Sequence, residues 1–413
     1  MQIVAYSYSR ADGLPSQPSP PGTPNQRAKS HAATRHPKSS PEHENQEDMA
    51  SDTYSFVFRR PVADLTGFTP NDITHSRGLL HPAGPSATYS YLDGLRSADD
   101  LIICLDGLCV PGPLTVHAPS LKFLGEGSQF VVHAGSLLDP STLCEQETWT
   151  EEVAIKTPKF EVLPDGRLDL ASITSRRQVN DFYLEVAALR LPALSNSRNV
   201  VRLLGWAVAE TIHQTPSLVF ELALGTMVSI FDRLEIDIAW NEKQQLCLDV
   251  GNGLDAIHKA GIVHSDLKPQ NVLVFYGGSR DVPLVAKLAD FATSGMDGEA
   301  EGNGTVEVKG LSKDWSAPEI SLSARVTMLQ MVKADVFSHG LLLLSFSCLN
   351  GAAPPCKDYH AAVRIARETA GIPASYLSLL TTALPLLLHP DSTKRPLEVG
   401  RLLMDKTAAC ASW

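Results

Sequence analysis

The chain has 413 residues, with 35 Lys and Arg against 46 Asp and Glu, for a formal net charge of −11. That length admits one large two-lobed domain plus extra segments, and the acidic balance argues against nucleic acid as an obligate partner, because phosphate backbones are held by clustered Lys and Arg. No uninterrupted apolar run approaches the ~20 residues that span a bilayer, the first residues carry no basic region followed by a long apolar core, and the seven cysteines are scattered without a CxxC pair, so neither a membrane span, a secretory leader nor a zinc or disulfide framework is expected. A reducing intracellular location, cytoplasmic or nuclear, fits this cysteine usage.

Residues 1–53 are rich in Ser, Pro, His, Asn and Gln and poor in aliphatics. Too little apolar surface is available there to offset ordering entropy, so a disordered tail is expected. Ser19-Pro20, Thr23-Pro24 and Ser40-Pro41 are either proline-directed phosphorylation sites or parts of a plain flexible tail. Residues 54–118 mix short apolar runs with Gly and Pro and read as a partly ordered extension with a few strands. Within it, 101–110 reads as a hairpin turning at Asp106-Gly107. That register sets Cys104 opposite Cys109, near enough for a bridge. Two small buried thiols are the plainer reading in a reducing compartment.

Residues 119–408 read as one α+β, bilobal domain, with a small lobe over 119–222 and a large lobe over 223–408. Strands are expected at 121–127 and 130–134, joined by a glycine turn, then at 152–157, 200–209 and 217–221. Residues 135–150 read as a polar connection and 158–175 as an insertion. Helical spacing over 180–191, ended by Pro192, gives the small antiparallel sheet one helix. In the large lobe, Leu246, Val250, Leu254 and Ile257 share one face of a helix over 241–259. A loop and strand follow over 261–275, and a Gly- and Glu-rich mobile stretch over 295–310. A buried helix over 335–350 and two closing helices over 376–388 and 396–404 complete the lobe.

The chemistry concentrates in His264-Ser265-Asp266-Leu267-Lys268-Pro269-Gln270-Asn271, with Asp290-Phe291-Ala292 some twenty residues on. A carboxylate can orient a hydroxyl, an amine can sit on a phosphate, and an amide with a second carboxylate can hold a divalent metal. Other motifs stand in order around this loop: Gly125-Glu126-Gly127-Ser128-Gln129-Phe130-Val131-Val132, Val153-Ala154-Ile155-Lys156, Glu185, Ala317-Pro318-Glu319, Asp335 to Gly340, and Lys394-Arg395-Pro396. In this set and order the chain resembles the eukaryotic protein kinases of serine/threonine type, with a non-Arg catalytic loop similar to that of divergent fungal members.

The resemblance implies ATP and magnesium as cofactors and proteins as substrates. It implies that Asp266 receives the substrate hydroxyl with Lys268 beside it, and that Lys156 contacts the α- and β-phosphates while paired to Glu185. Gly125, Glu126 and Gly127 would form the turn over the phosphates. Val132 and Ala154 would cover adenine from above and Leu273 from below, with the backbone around Glu221 and Ala223 as the hinge. Asn271 and Asp290 would hold metal. Phe220 stands at the gatekeeper position, which implies a restricted back pocket. Ser312 replaces a substrate-loop Thr, Glu319 would pair with Arg395, and Asp335 would anchor the catalytic loop. A scaffold that binds nucleotide without phosphoryl transfer is the alternative, since Ala292 replaces a Gly and the last loop Gly is absent, leaving Phe130 to cover the phosphates from the tip. A small-molecule phosphotransferase of the aminoglycoside or choline kinase type shares the loop but lacks the Ala-Pro-Glu platform.

The Arg that precedes the catalytic Asp in the family is Ser265 here, so no guanidinium at this place can meet a phosphorylated activation segment. Basal phosphotransfer is therefore predicted to survive phosphatase treatment unchanged. A large drop in the treated sample, assayed beside the untreated one, would count against this.

Overall fold

The small lobe is organised by alternation along one strand. The computed structural model describes residues 56–57, 95–138, 149–194, 196–208, 215–233, 238–278, 283–296, 304–321 and 324–411; the expected tail over 1–53 lies outside them. Six antiparallel strands run in the order β1-β2-β3-β4-β6-β5, with β1 at Phe56–Val57, β2 at Val116–Glu126, β3 at Phe130–Leu138, β4 at Trp149–Pro158, β5 at Leu203–Val208 and β6 at Pro216–Glu221. Val153 and Ile155 of β4 are buried with Val116, Ala207 and Val219 on one face. The period of two turns Ala154 and Lys156 to the other. Val132 and Leu218 lie opposite Lys156, and Phe220 lies opposite Ala154, so all share that second face.

The expected hairpin over 101–110 is instead a helix, α1 (Ala98–Gly107). The Ser97 hydroxyl accepts from Asp100 N at 3.2 Å, and Asp99 and Asp100 sit where the helix dipole favours negative charge. Leu101, Cys104 and Leu105, spaced i, i+3, i+4, are buried. Asp106-Gly107 thus ends a helix rather than turning a hairpin. Cys104 is buried as expected, but Cys109 is exposed with φ 54, and both are free thiols. The chain then bonds to the edge of β5: Trp206 N donates to Pro111 O at 2.9 Å and Leu114 N to Trp206 O at 2.8 Å. Gly205 is required for that approach, since a Cβ there would collide with the Pro111 carbonyl.

The small-lobe helix, α2 (Ile173–Leu189), starts seven residues before the expected 180, because the Ser172 hydroxyl caps Ser175 N at 2.9 Å. The large lobe follows with β7 (Gly225–Thr226), α3 (Ile230–Arg233), α4 (Trp240–Lys259), β8 (Ile262–Val263), a 3-10 turn at Pro269–Asn271, β9 (Val272–Tyr276) and β10 (Leu284–Leu288). Then come β11 (Gly295–Met296), β12 (Thr305–Glu307), β13 (Arg325–Thr327), α5 (Met328–Cys348), α6 (Tyr359–Glu368), α7 (Ala374–Leu387), a second 3-10 turn at Ser392–Lys394 and α8 (Val399–Ala411).

Parts of the stretch expected to be mobile over 295–310 are paired, β11 with β8 and β12 with β13. A capping box between Thr327 and Gln330 starts α5 earlier than the expected 335. By length and composition α5 could cross a membrane, yet 89% of its most apolar window is buried, which makes it the core helix of the large lobe. No helix was expected at α6, whose burial falls on Ala362 and Ala366 rather than on large apolar residues.

His339 in α5 is fully buried, 3.0 Å from the Cys247 carbonyl through Nε2, with no partner for Nδ1. Burial pushes its pKa down to about 4 from the ordinary 6.5. As pH falls through that window the unfolded chain binds a proton that the folded chain refuses, so stability is present above it and lost within it. Urea denaturation from pH 7 to 4.5 is predicted to show stability falling in the wild type, with His339→Gln shallower by up to about 1.4 kcal/mol per pH unit. Identical slopes would contradict it.

Candidate active site

Lys156 is the last inward-facing residue of β4 before Pro158, and its ammonium is shared by two carboxylates. Nζ lies 2.7 Å from both oxygens of Glu185 on α2 and 3.1 Å from Asp290 Oδ1 just past β10. Burial works against the lysine's charge, but Asp290 and Glu185 outweigh it and hold the pKa above the ordinary value. The Lys156 ammonium in turn holds Asp290 below the usual carboxylate range. Glu185 and Leu189, four residues apart, are both buried on one side of α2. The Phe130 ring covers Lys156 Nζ at 4.3 Å from its centroid, a cation–π contact. Phe130 is therefore buried at the root of the glycine turn, not at its tip as expected.

The catalytic loop is shaped from beneath by Asp335 of α5. Its carboxylate accepts from His264 N at 2.8 Å and Ser265 N at 3.0 Å, and lies 2.9 Å from His258 Nε2. These bonds hold Ser265 at φ 70, a conformation that a residue with a Cβ rarely adopts. The reversal presents Asp266, whose Oδ2 accepts from Lys268 Nζ at 2.5 Å. Asp266 Oδ1 is buried with no partner. A buried acceptor left open calls for a donor that the folded chain does not supply. Lys268 Nζ also donates to Ser312 Oγ at 2.9 Å, which ties the loop to the segment leading to Ala317-Pro318-Glu319. Asn271 is held by its side-chain amide, Nδ2 donating to Asp266 O at 2.9 Å, while its backbone carbonyl accepts from Ala289 N at 2.9 Å. These links make two groups, Lys156 with Asp290 and Asp266 with Lys268 and Asn271, brought together by the backbone bond from Ala289, the residue before Asp290, to Asn271 O.

The left-handed residue of this turn is Asp290 at φ 64, and Ala292 has no positive φ. Phe291 is fully buried, its ring 5.4 Å from that of His264. A Cβ at Gly125 or Gly127 would meet nothing within 4 Å, so space lies open beside the turn. Glu126 pairs with Lys159, whose Nζ also donates to Gly127 O at 2.8 Å. Val132, Ala154, Ala223 and Leu273 are each half-buried. The Glu221 carboxylate is taken by Lys287 Nζ at 2.7 and 2.8 Å and by Arg202 N at 2.8 Å, and its backbone N–H donates to Arg202 O at 3.4 Å. Phe220 is buried.

Sequence reasoning overlooked Lys287 and Lys357, whose Nζ donates to Lys313 O at 2.6 Å and Ser316 O at 2.5 Å. Lys287 shares a signal with Lys156, an amine inside an otherwise apolar strand; Lys357 has none. Among the described residues no three His, Cys, Asp or Glu side chains gather to hold a metal. Asn271 and Asp290 carry an amide oxygen and carboxylate oxygens, the donor type that a hard divalent cation takes.

Residues 150–386 match the family model described as protein kinase domain. The chain is 29% identical over 231 residues to the putative wall-associated receptor kinase-like 16 of Arabidopsis thaliana, covering 54% of this chain and 44% of that protein. It is 28% identical over 211 residues to the probable LRR receptor-like serine/threonine-protein kinase RPK1 of the same plant, covering 49% and 36%. With the plant's serine/threonine-protein kinase PBL13 the identity is 27% over 237 residues, covering 56% and 41%. The chain thus spans less than half the length of these relatives.

Arg395 pairs with Glu319 as expected. Its guanidinium is fully buried and also donates to His389 O at 2.9 Å and Lys333 O at 3.0 Å. Removing the counter-charge leaves a buried cation only partly satisfied. Glu319→Gln is predicted to cost about 3 kcal/mol, read as a lower urea midpoint at pH 7.5 with an unchanged m-value. A shift under about 0.5 kcal/mol, the range of an ordinary surface change, would mean that the two carbonyls suffice.

Proposed function

This chain belongs to the protein kinase family, and from that membership we propose that it transfers the terminal phosphoryl group of ATP to serine and threonine hydroxyls of proteins. The observation that carries the reading is Asp266 Oδ1, a buried acceptor without a donor, flanked by an ammonium that also bonds Ser312. A substrate hydroxyl is the missing donor. Asp266 orients that hydroxyl and holds its proton as the oxygen becomes bonded to phosphorus. Lys268 offsets negative charge on the transferred group, and its bond to Ser312 links the reacting centre to the surface on which a peptide would lie.

Lys156 would hold the α- and β-phosphates. Its link to Glu185 fixes the ammonium's position, and its link to Asp290 sets it beside a carboxylate that stays ionised. Gly125 and Gly127 allow phosphates to approach the turn's backbone. Val132, Ala154 and Leu273 would enclose adenine, with the backbone of Glu221 and Ala223 bonding its edge. Asn271 and Asp290 would hold magnesium, which supplies positive charge against the phosphate oxygens when bound. The five free thiols among the described residues support placing this reaction in a reducing intracellular compartment.

Asp266→Asn keeps the size of the side chain and removes its basicity. Radiolabelled ATP with a generic acceptor protein is predicted to show transfer by the wild type and a loss of about 100-fold or more in the variant, the usual worth of a positioned base. Equal background label in both would favour a nucleotide-binding scaffold.

A further inference from the structure

Three side chains that phosphoryl transfer does not itself use form a line across α2. Gln129, in the turn between β2 and β3, donates from Nε2 to Asp181 Oδ2 at 2.6 Å. Arg177, one helical turn before Asp181, has Nε 3.6 Å from that same oxygen, and its Nη2 donates to the Lys309 carbonyl in the segment after Asp290. Residues 177, 181 and 185 are spaced i, i+4, i+8, so the face carrying this line also carries Glu185. Asp181 is only 1% exposed through its side chain, and a carboxylate buried so deeply is tolerated only when bonded. Burial pushes its carboxyl up, with Gln129 and Arg177 opposing.

Both ends of the line are fixed to the site. Phe130, next to Gln129, covers Lys156. Gly310, next to Lys309, runs so near the Thr293 side chain that a Cβ would overlap it, which sets this backbone beside the residue that follows the Asp290-Phe291-Ala292 turn. Ser265 offers no cation to the segment, whereas Arg177 offers one to a neutral backbone carbonyl.

We propose that Gln129, Asp181 and Arg177 are positioning residues that couple the glycine turn to the activation segment through α2, so that a closed turn and an ordered 308–310 stabilise each other without a phosphorylated residue. The catalytic consequence rests on the kinase reading; the coupling itself does not. Three independent local contacts are the competing account, and they differ in additivity and in reach.

The test uses the full chain as wild type, Gln129→Ala, Arg177→Ala, their double variant, Asp181→Ala and Asp181→Asn. Amide hydrogen exchange is followed at 121–131 and 304–311, with KM for ATP and kcat measured beside it. Gln129→Ala is expected to speed exchange about fivefold at 304–311, which it does not touch, and Arg177→Ala to do the same at 121–131, each losing roughly one hydrogen bond. The double variant is expected to be no looser than either single one. Asp181→Asn still accepts from Gln129 and is expected to keep the turn near wild type, whereas Asp181→Ala is not. Arg177→Ala is expected to raise KM for ATP about fivefold with kcat nearly unchanged. Variants that loosen only their own ends, with effects that add, overturn the coupling, and the Gln129 and Arg177 variants decide this even where Asp181→Ala does not fold. Coupled exchange in a chain that transfers no phosphate would instead remove the kinase reading and leave the relay standing.

Discussion

The ammonium of Lys156 is the point on which the two lobes depend. Its partners Glu185 and Asp290 lie 29 and 134 residues away in sequence, on a helix of the small lobe and at the end of a strand of the large one. Burying one charge without the others would cost several kcal/mol. Lys156 and Glu185, both largely buried, therefore reach low energy only together, and the half-exposed Asp290 joins them when the end of β10 is correctly placed. The alternation of β4 follows from the same demand. Val153 and Ile155 go to one apolar cluster so that Ala154 and Lys156 can face the site.

A second set of buried charges shapes the large lobe by the same logic. Asp335 spends its carboxylate on the backbone of His264 and Ser265, which forces the left-handed reversal that presents Asp266. Arg395 spends its guanidinium on Glu319 and two carbonyls, tying the end of the activation segment to the turn before α8. Each buried ion has its valences filled by groups far away in the chain, so each acts as a geometric constraint. Asp266 Oδ1 stands apart because its valence is left open. In the proposed function, a substrate hydroxyl would fill that opening.

Residues whose roles depend on their own functional groups were legible as letters. Lys156, Glu185, Asp266, Lys268, Asn271 and Asp290 could be named, and they fall into two bonded groups, Lys156 with Glu185 and Asp290, and Asp266 with Lys268 and Asn271. Glu319 with Arg395 was likewise readable as a pair. Local conformation was less legible. Asp106-Gly107 is as good a hairpin turn as a helix end, and the capping of Ser97 settled the matter for α1. The early starts of α2 and α5 turned on single hydroxyl caps at Ser172 and Thr327. That Asp290, and not Ala292, takes the positive φ of its turn was likewise not readable in the letters.

By itself the sequence determined the bilobal α+β plan and the set of groups around the site, because hydrophobic period and functional-group chemistry are local properties of the chain. Only the tertiary structure decided which polar groups share partners. That Asp181 serves both Gln129 and Arg177, that Phe130 covers Lys156 and that Lys287 occupies Glu221 are matters of burial and distance between remote segments. Such pairings arise when desolvated charges compete for the few donors and acceptors that folding brings within reach, and no local pattern records the outcome of that competition.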